Sequence, residues 1–399
     1  MLIGFVDEAS EALERGNQED VLIMDFSKAF DKVSHALLIH KLRRYGIDGR
    51  INTWIQSFLA NRQQAVVVGG MRSEFAPVES GVPQGSVLGP SLFLLYINDL
   101  PNNLESKARL FADDTACHKD VADSEDQRQM QQDLDKLAQW EDRWKMAFHP
   151  EKCSTLHMTR RRTTLTGNYI LHDHQLQSVA SAKYLGVTMT SDLKWDTHIN
   201  DITSKASKTL GFVRRNLRIC SRKAKAAAYK ALVRPLLEFA SPVWDPITTT
   251  CIDSLEKIQR RAARWTMRDY RQTSSVDAML QELDWPTLQA RRKTARLTAL
   301  YKYKNGLLHV DTRYAPTTNS QKKSRRQTNT QAFDVPSHRT AYRKQTFFPR
   351  TIPEWNSLPE SVATAPSLTS FRSRLQNHLL KRPTDPDGDL PVEASSSSS

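Results

Sequence analysis

The run Val21-Leu22-Ile23-Met24, closed by Asp25, constrains this chain more than any other stretch. Four consecutive apolar residues bounded by charge fit a short strand buried on both faces, since a water-facing position would interrupt the run with a polar residue. A carboxylate ending such a strand sits at the rim of a core, where water, a hydrogen bond or a cation has to compensate its charge. That is how a metal ligand is presented, and equally how a helix cap or turn former is placed.

Around this strand the chain reads as alternating helices and strands. Leu2, Phe5, Val6, Ala9 and Leu13 have helical spacing, and Gly16 stands where a C-cap glycine would. Ser34 can cap a helix through Arg44 that Gly46 ends. Ile51, Trp54, Ile55, Phe58 and Leu59 form an amphipathic stripe expected to pack in the core. Gln64 to Val68 and Met71 to Val78 flank Gly69-Gly70 as a hairpin. The loop Ser80 to Pro90 carries three glycines and two prolines, which lets a backbone approach a ligand closely or serves as an ordinary connection. Lys107 to Phe111 and Thr115 to His118 read as two strands with Asp113-Asp114 at the turn. A helix capped from Ser124 follows, then strand-like Ser154 to Met158 and Tyr184 to Met189. This alternation predicts an α+β or α/β domain.

From about Asp196 the pattern turns helical and basic. Lys205, Lys208, Arg214, Arg215, Arg218, Arg222, Lys223, Lys225, Lys230 and Arg234 are opposed only by Asp201. So one-sided a segment repels itself unless an anion is near, and the whole chain is basic as well, with a formal charge of +13. A polyanion such as nucleic acid is the expected partner. No apolar run approaches the roughly twenty residues that span a bilayer, and no signal peptide is legible, so an intracellular protein without membrane contact is expected. Cys117, Cys153, Cys220 and Cys251 form no close pair, which predicts reduced thiols rather than a zinc site or disulfides.

Asp25, Asp113 and Asp114 lie at a strand end and a hairpin tip with the glycine-rich loop between them. If the strands are neighbours, the carboxylates converge. Hard oxygen ligands suit magnesium, and two such ions can activate a hydroxyl and stabilise a leaving oxygen, as nucleotidyl transfer requires. No His stands beside these acids for general acid or base work, and no Ser-His-Asp or Cys-His arrangement stands out.

The order Asp25-x-x-x-x-Phe30, Gly81-Val82-Pro83-Gln84-Gly85-Ser86, Phe111-Ala112-Asp113-Asp114 and Tyr184-Leu185-Gly186 resembles the palm of reverse transcriptases. The words Asp25 to His35, Leu94 to Leu100 and Phe348 to Pro359 are similar to non-LTR, jockey-like retrotransposon polymerases. The resemblance implies an RNA-directed DNA polymerase with an α+β palm (residues 1–195), a helical thumb (196–308), a mobile basic linker (309–346), a C-terminal helical segment (347–382) and a disordered tail (383–399). It implies that Asp25, Asp113 and Asp114 hold two Mg2+ ions, with Mn2+ able to substitute. By the same carry-over Phe30 screens the sugar of the incoming deoxynucleoside triphosphate, with a core phenylalanine as the alternative. Gln84, Gly85 and Lys152 lie about the nucleotide, Tyr184, Leu185 and Gly186 position the primer end, and the basic residues from Lys205 to Lys225 touch the backbone of an RNA template and DNA primer. The family works in nucleus and cytoplasm. Its fingers precede the first helix, so the expectation is a palm and thumb with the fingers largely missing and activity weakened. The alternative is an inactive retroelement remnant that binds RNA or DNA, and the oligomeric state stays open.

Overall fold

The computed structural model describes residues 1–310 and 329–380. The chain divides into two compact units, Met1–His198 and the part beginning at Ile199.

In the first unit the opening helix α1 (Leu2–Arg15) ends at Gly16 with φ 84°, as its sequence predicts. Strand β1 (Gln18–Asp25) follows. Helices α2 (His35–Arg44) and α3 (Gly49–Leu59) come next. Four two-residue strands, β2 (Gln63–Gln64), β3 (Val67–Val68), β4 (Met71–Arg72) and β5 (Ala76–Pro77), make a nested hairpin, β3 with β4 and β2 with β5, turning at Gly69-Gly70. Then come α4 (Leu88–Ile97), β6 (Lys107–Phe111), β7 (Asp114–Val121), α5 (Ser124–Trp144), β8 (Ser154–Met158), β9 (Ile170–Leu171), β10 (His174–Gln175), β11 (Gln177–Ser178), β12 (Ser181–Tyr184) and β13 (Val187–Thr190).

The main sheet has the order β11-β8-β1-β7-β6, so β1 has a hydrogen-bonded neighbour on each side, antiparallel in both cases. Its side chains alternate between two covered faces. Val21 lies opposite His118, which meets Phe5 of α1 edge-on at 4.8 Å. Leu22 and Met24 join Met130, Leu134 and Leu137 of α5 in the core. Burial of each such side chain is worth about 1.5–3 kcal/mol, and this two-sided burial is why the run reads as continuously apolar.

The word Leu94 to Leu100 has a packing role. Asp99 pairs with the buried Lys41 at 2.6 Å and accepts from Trp140 Nε1 at 3.0 Å, while the Lys41 ammonium stands 3.5 Å from the Trp144 ring centroid. Burial holds the Lys41 pKa below its ordinary value, against the pull of Asp99. Two local expectations change. On α3, Ile55 and Leu59 are buried with Asn52, whereas Ile51 and Trp54 are exposed and Trp54 stacks on Phe58. The stripe is wider than the surface available to cover it. Helix α5 is capped by Asp123, not Ser124, because the Asp123 carboxylate accepts from the backbone N–H groups of Glu125 and Asp126.

The division falls within α6 (Asp196–Asn216), and the second unit is helical, as its pattern predicts. Its helices are α7 (Arg222–Ala228), α8 (Ser241–Trp244), α9 (Thr249–Met267), α10 (Val276–Glu282), α11 (Leu288–Lys304), α12 (Ala341–Lys344), α13 (Phe347–Asn356), α14 (Glu360–Ala363) and α15 (Leu368–Leu380). Helix α11 packs on α8, α9, α13 and α15 around Trp244, Leu297, Leu300, Trp355 and Phe371. Within this core Asp245 is clasped by Arg292 (2.7 Å), Arg296 (2.8 Å) and Arg350 (3.2 Å).

The described part of the expected mobile linker is packed. Phe333 is buried, its N–H donates to Asn356 Oδ1 at 2.9 Å, and Asn329 Nδ2 donates to the carbonyls of Trp355 and Leu358. Single anchors without periodicity leave no helical or strand signature, which is why the sequence pattern missed them. Residues 311–328 of that segment and the expected disordered tail lie outside the described residues. No helix among the described residues is long and apolar enough to cross a membrane.

Candidate active site

Strand pairing brings the acids together. Asp25 is the register partner of Asp114 at the ends of β1 and β7, and Asp114 also pairs with Phe111 across the β6–β7 turn. Side chains directly opposite in antiparallel strands point to one face with Cβ atoms about 4.5–5.5 Å apart. Ala112, at φ 52°, and Asp113 form the turn itself, which places Asp113 next to Asp114. The electrostatics agree: burial, then the charges of Asp113 and Asp25, raise the Asp114 pKa above the usual carboxylate value. A cation at the rim would relieve that repulsion, and three carboxylates are the donor type that Mg2+ prefers.

Asp25 has a partner that its own motif does not supply. Lys152 Nζ lies 3.2 Å from Asp25 Oδ2, both partly exposed. The segment is held there by backbone bonds from His149 N to the Asp25 carbonyl and from Ser27 N to the Ala147 carbonyl, each 2.8 Å, with Phe26 stacked on Phe148. In this arrangement no three His, Cys, Asp or Glu side chains among the described residues are grouped to share one metal ion. The carboxylates are the donor type a divalent cation takes, but they are not gathered into one such group, and Asp25 is engaged by Lys152.

The glycine-rich loop is fastened to the segment that follows Asp25. Gly81 N donates to the Val33 carbonyl (2.8 Å), Val82 N to the Phe30 carbonyl (2.9 Å), Ser80 Oγ to the Asp31 carbonyl (2.8 Å) and His35 Nε2 to the Gly81 carbonyl (2.7 Å). Gln84 Nε2 reaches Asp31 Oδ1 at 3.4 Å, and Gly85 turns with φ 79°. Beside this loop lies a recess of about 680 Å3 lined by Lys28, Asp31, Arg62 and Gln84 among others. Lys28 and Arg62 are cations that sequence reading passed over. A signal was present for Lys28, three residues after Asp25 and inside the motif, whereas only folding brings Arg62 to the recess. Phe30 is half-buried and stacks on Phe93 at 4.6 Å, so at least one ring face is used in packing.

Tyr184 to Val187 form the tip of the β12–β13 hairpin, with Leu185 (φ 47°) and Gly186 (φ 82°) as the turn residues. Two consecutive positive φ values give the tight turn that matches strand twist. Tyr184 is buried, and its hydroxyl donates to the Arg109 carbonyl at 3.2 Å. Burial raises the Tyr184 pKa, opposed by Arg109 and reinforced by Asp114. Next to this contact, Arg109 Nε donates to His118 Nε2 at 3.0 Å, so His118 is neutral and its Nδ1–H donates to Glu19 at 2.6 Å.

In the helical unit the predicted basic residues separate. Lys205, Lys208, Arg215, Arg218 and Lys223 are exposed, Arg214 is half-buried, Arg222 is ion-paired to Glu282 at 2.5 Å, and Lys225 is turned inward and buried. Arg222 faces outward but meets an acid from α10, and packing turns Lys225 to a buried side of α7.

Residues 3–189 match the family described as Reverse transcriptase (RNA-dependent DNA polymerase). The chain is 29% identical over 288 residues to the RNA-directed DNA polymerase from mobile element jockey of Drosophila melanogaster, covering 66% of this chain and 30% of that protein. It is 29% identical over 258 residues to the probable RNA-directed DNA polymerase from transposon X-element of the same fly, covering 61% and 28%. It thus spans about a third of the length of these relatives. The solved structure of apo telomerase from Candida tropicalis aligns with a TM-score of 0.41 and 11% identity, covering 73% of this chain and 48% of that one, a likeness too slight to add to the assignment. Residues 3–189, which hold the three acids, the glycine-rich loop and the Tyr184 hairpin, are thus similar to reverse transcriptases, and the chain that carries them is similar to the RNA-directed DNA polymerases of non-LTR retrotransposons.

Proposed function

We propose that this chain carries the palm and thumb of an RNA-directed DNA polymerase that adds deoxynucleotides to a primer 3′ end on an RNA template. The observation that carries the reading is the β1–β7 register, which sets Asp25 opposite Asp114 with Asp113 in the adjoining turn. These three carboxylates would hold two Mg2+ ions, or Mn2+ in their place. Bound there, the ions supply an activated primer hydroxyl and charge stabilisation for the leaving pyrophosphate. The chain's own residues position the reactants, on which in-line transfer depends. Lys152, Lys28 and Arg62 offer cations to the triphosphate, and Gln84 and Gly85 bound the nucleotide and template. Phe30 lies against the sugar and leaves no room for a 2′-hydroxyl, while Tyr184, Leu185 and Gly186 seat the primer end. The exposed cations from Lys205 to Lys223 engage the duplex backbone without reading its sequence.

A second reading, a retroelement remnant that binds RNA or DNA without catalysis, is favoured by one observation, the capture of Asp25 by Lys152. Primer extension on an RNA template with Mg2+ or Mn2+ separates the two, with Asp113→Asn as the blank. The polymerase reading expects extension that the blank lacks, and melting raised by the metal in the parent but not in Asp113→Asn. Equal melting shifts in both proteins and no extension would leave only the binder.

A further inference from the structure

Four of the eight cations expected to meet a phosphate backbone gather, with Arg268, about one recess of the helical unit. Arg214 and Arg215 at the end of α6, Arg218 just beyond it, Lys225 of α7 and Arg268 after α9 converge on a recess of about 600 Å3 that no acidic residue lines. Their neighbours Arg222 and Arg234 are paired with Glu282 and Glu238, whereas none of these five makes an ion pair among the described residues. Arg268 donates to the carbonyls of Ile219 (3.2 Å) and Cys220 (3.3 Å), which holds it at the rim. Lys225 is the unusual member. The residue is 2% exposed, its ammonium meets the recess without a hydrogen-bond acceptor among the described residues, and its near neighbour is the Trp265 ring, 5.4 Å from the centroid. Burial, with the charge of Arg268, holds its pKa below the ordinary lysine value, against a smaller opposing effect of Cys220.

Cations near the C-terminal end of a helix are ordinarily explained by the helix dipole, worth about 0.3–1 kcal/mol each. That accounts for Arg214 and Arg215, and it does not account for Lys225, whose stem is buried and whose ammonium is turned toward the recess beside Arg268 with no counter-charge among the lining residues. An anion entering the recess would compensate it. A further group points to what accompanies the anion: Tyr270, 57% exposed, lines the same recess with the Arg214 guanidinium 5.9 Å from its ring centroid. An open aromatic face beside a phosphate-sized cluster of cations is the arrangement that stacks an unpaired base, and the volume lies within the roughly 300–1,000 Å3 of small-molecule sites.

We propose that this recess binds one nucleotide of a single-stranded nucleic acid, its phosphate held by Lys225, Arg218 and Arg268 and its base stacked on Tyr270. A duplex would offer the phosphate and withhold the base face. The inference rests on the chain engaging nucleic acid and does not require polymerase chemistry, so it is tested without primer, nucleotide or metal.

The test is fluorescence anisotropy of a labelled twelve-nucleotide single-stranded RNA with the full chain, over a salt series. Base stacking lost by alanine substitution corresponds to roughly 5- to 150-fold in affinity, so Tyr270→Ala should weaken binding by that order and Tyr270→Phe should not. The same RNA made abasic should bind parent and Tyr270→Ala alike. Lys225→Met should lower the salt slope by about 0.7, the contribution of one single-strand phosphate. Arg128→Gln, which removes a charge far along the chain in α5, controls for net charge. Inorganic phosphate that displaces abasic and normal RNA equally would show a free-anion site and overturn the base-binding part. Parent-like affinity and slope in both Tyr270→Ala and Lys225→Met would overturn the whole.

Discussion

Gly81→Ala tests whether the glycine-rich loop and the Asp25 strand are mechanically one object. Gly81 has φ +91°, and a Cβ placed there would stand 2.9 Å from both the Asp31 Cα and the Asp31 carbonyl oxygen and 3.0 Å from the Phe30 carbonyl oxygen. All three neighbours are backbone, so no side chain can swing aside. The left-handed conformation costs an L-residue about 1–2 kcal/mol, and overpacking against a fixed neighbour costs about 1–3 kcal/mol more. The expected destabilisation is therefore about 2–5 kcal/mol. For a unit of this size each kcal/mol moves the midpoint by about 2–4 °C, so the first unit should melt roughly 4–20 °C lower. Gly70→Ala is the matched control: its φ is +84° but nothing lies within 4 Å of the added carbon. It should show the left-handed penalty alone. Calorimetry gives the two midpoints, and hydrogen exchange at the Val82 amide, which is bonded to the Phe30 carbonyl, reports whether the loop has lifted. If Gly81→Ala melts no lower than Gly70→Ala with Val82 still protected, the close approach is not what fixes the loop.

Three other outcomes are expected. Phe30→Val should raise ribonucleotide incorporation relative to deoxynucleotide incorporation in primer extension, and an unchanged ratio would make Phe30 only the partner of Phe93. Burial pushes the Glu19 pKa up to about 8 from 4.5, so the folded state keeps a proton that the unfolded chain has released, and stability falls as pH rises from about 4.5 through 8. His118, whose pKa burial lowers from 6.5, works in the opposite direction below that pH. Between about pH 6.5 and 8 the Glu19 contribution therefore stands alone of the pair, and Glu19→Gln should flatten a loss of about 1–2 kcal/mol in denaturant titrations across that window. Asp245→Asn should destabilise the helical unit by about 3–5 kcal/mol, because it strips the shared carboxylate from three guanidiniums; a midpoint shifted by less than a degree would refute that role.

The sequence by itself determined what depends on near neighbours along the chain. The apolar run before Asp25 specified a doubly covered strand, Gly16 marked a helix end, and the one-sided charge after Asp196 accompanied a helical unit, whereas the strand-like stretch Tyr184 to Met189 is broken by a turn at Leu185 and Gly186. The order of the motifs carried the family resemblance. Each of these follows from periodicity, turn chemistry or residue order, which are legible a few residues at a time. Tertiary structure decided what depends on which surfaces meet. The register that sets Asp25 opposite Asp114, the ion pair of Asp25 with Lys152 and the delivery of Arg62 to the recess beside Gln84 all join segments remote in sequence. The same holds for the partners and burial of the cations: Glu282 takes Arg222, α7 turns Lys225 inward, and α3 has more apolar surface than its neighbours cover, so Trp54 stays in water. A residue's type states what it can bond or bury; only the packing of whole elements decides whether a partner arrives.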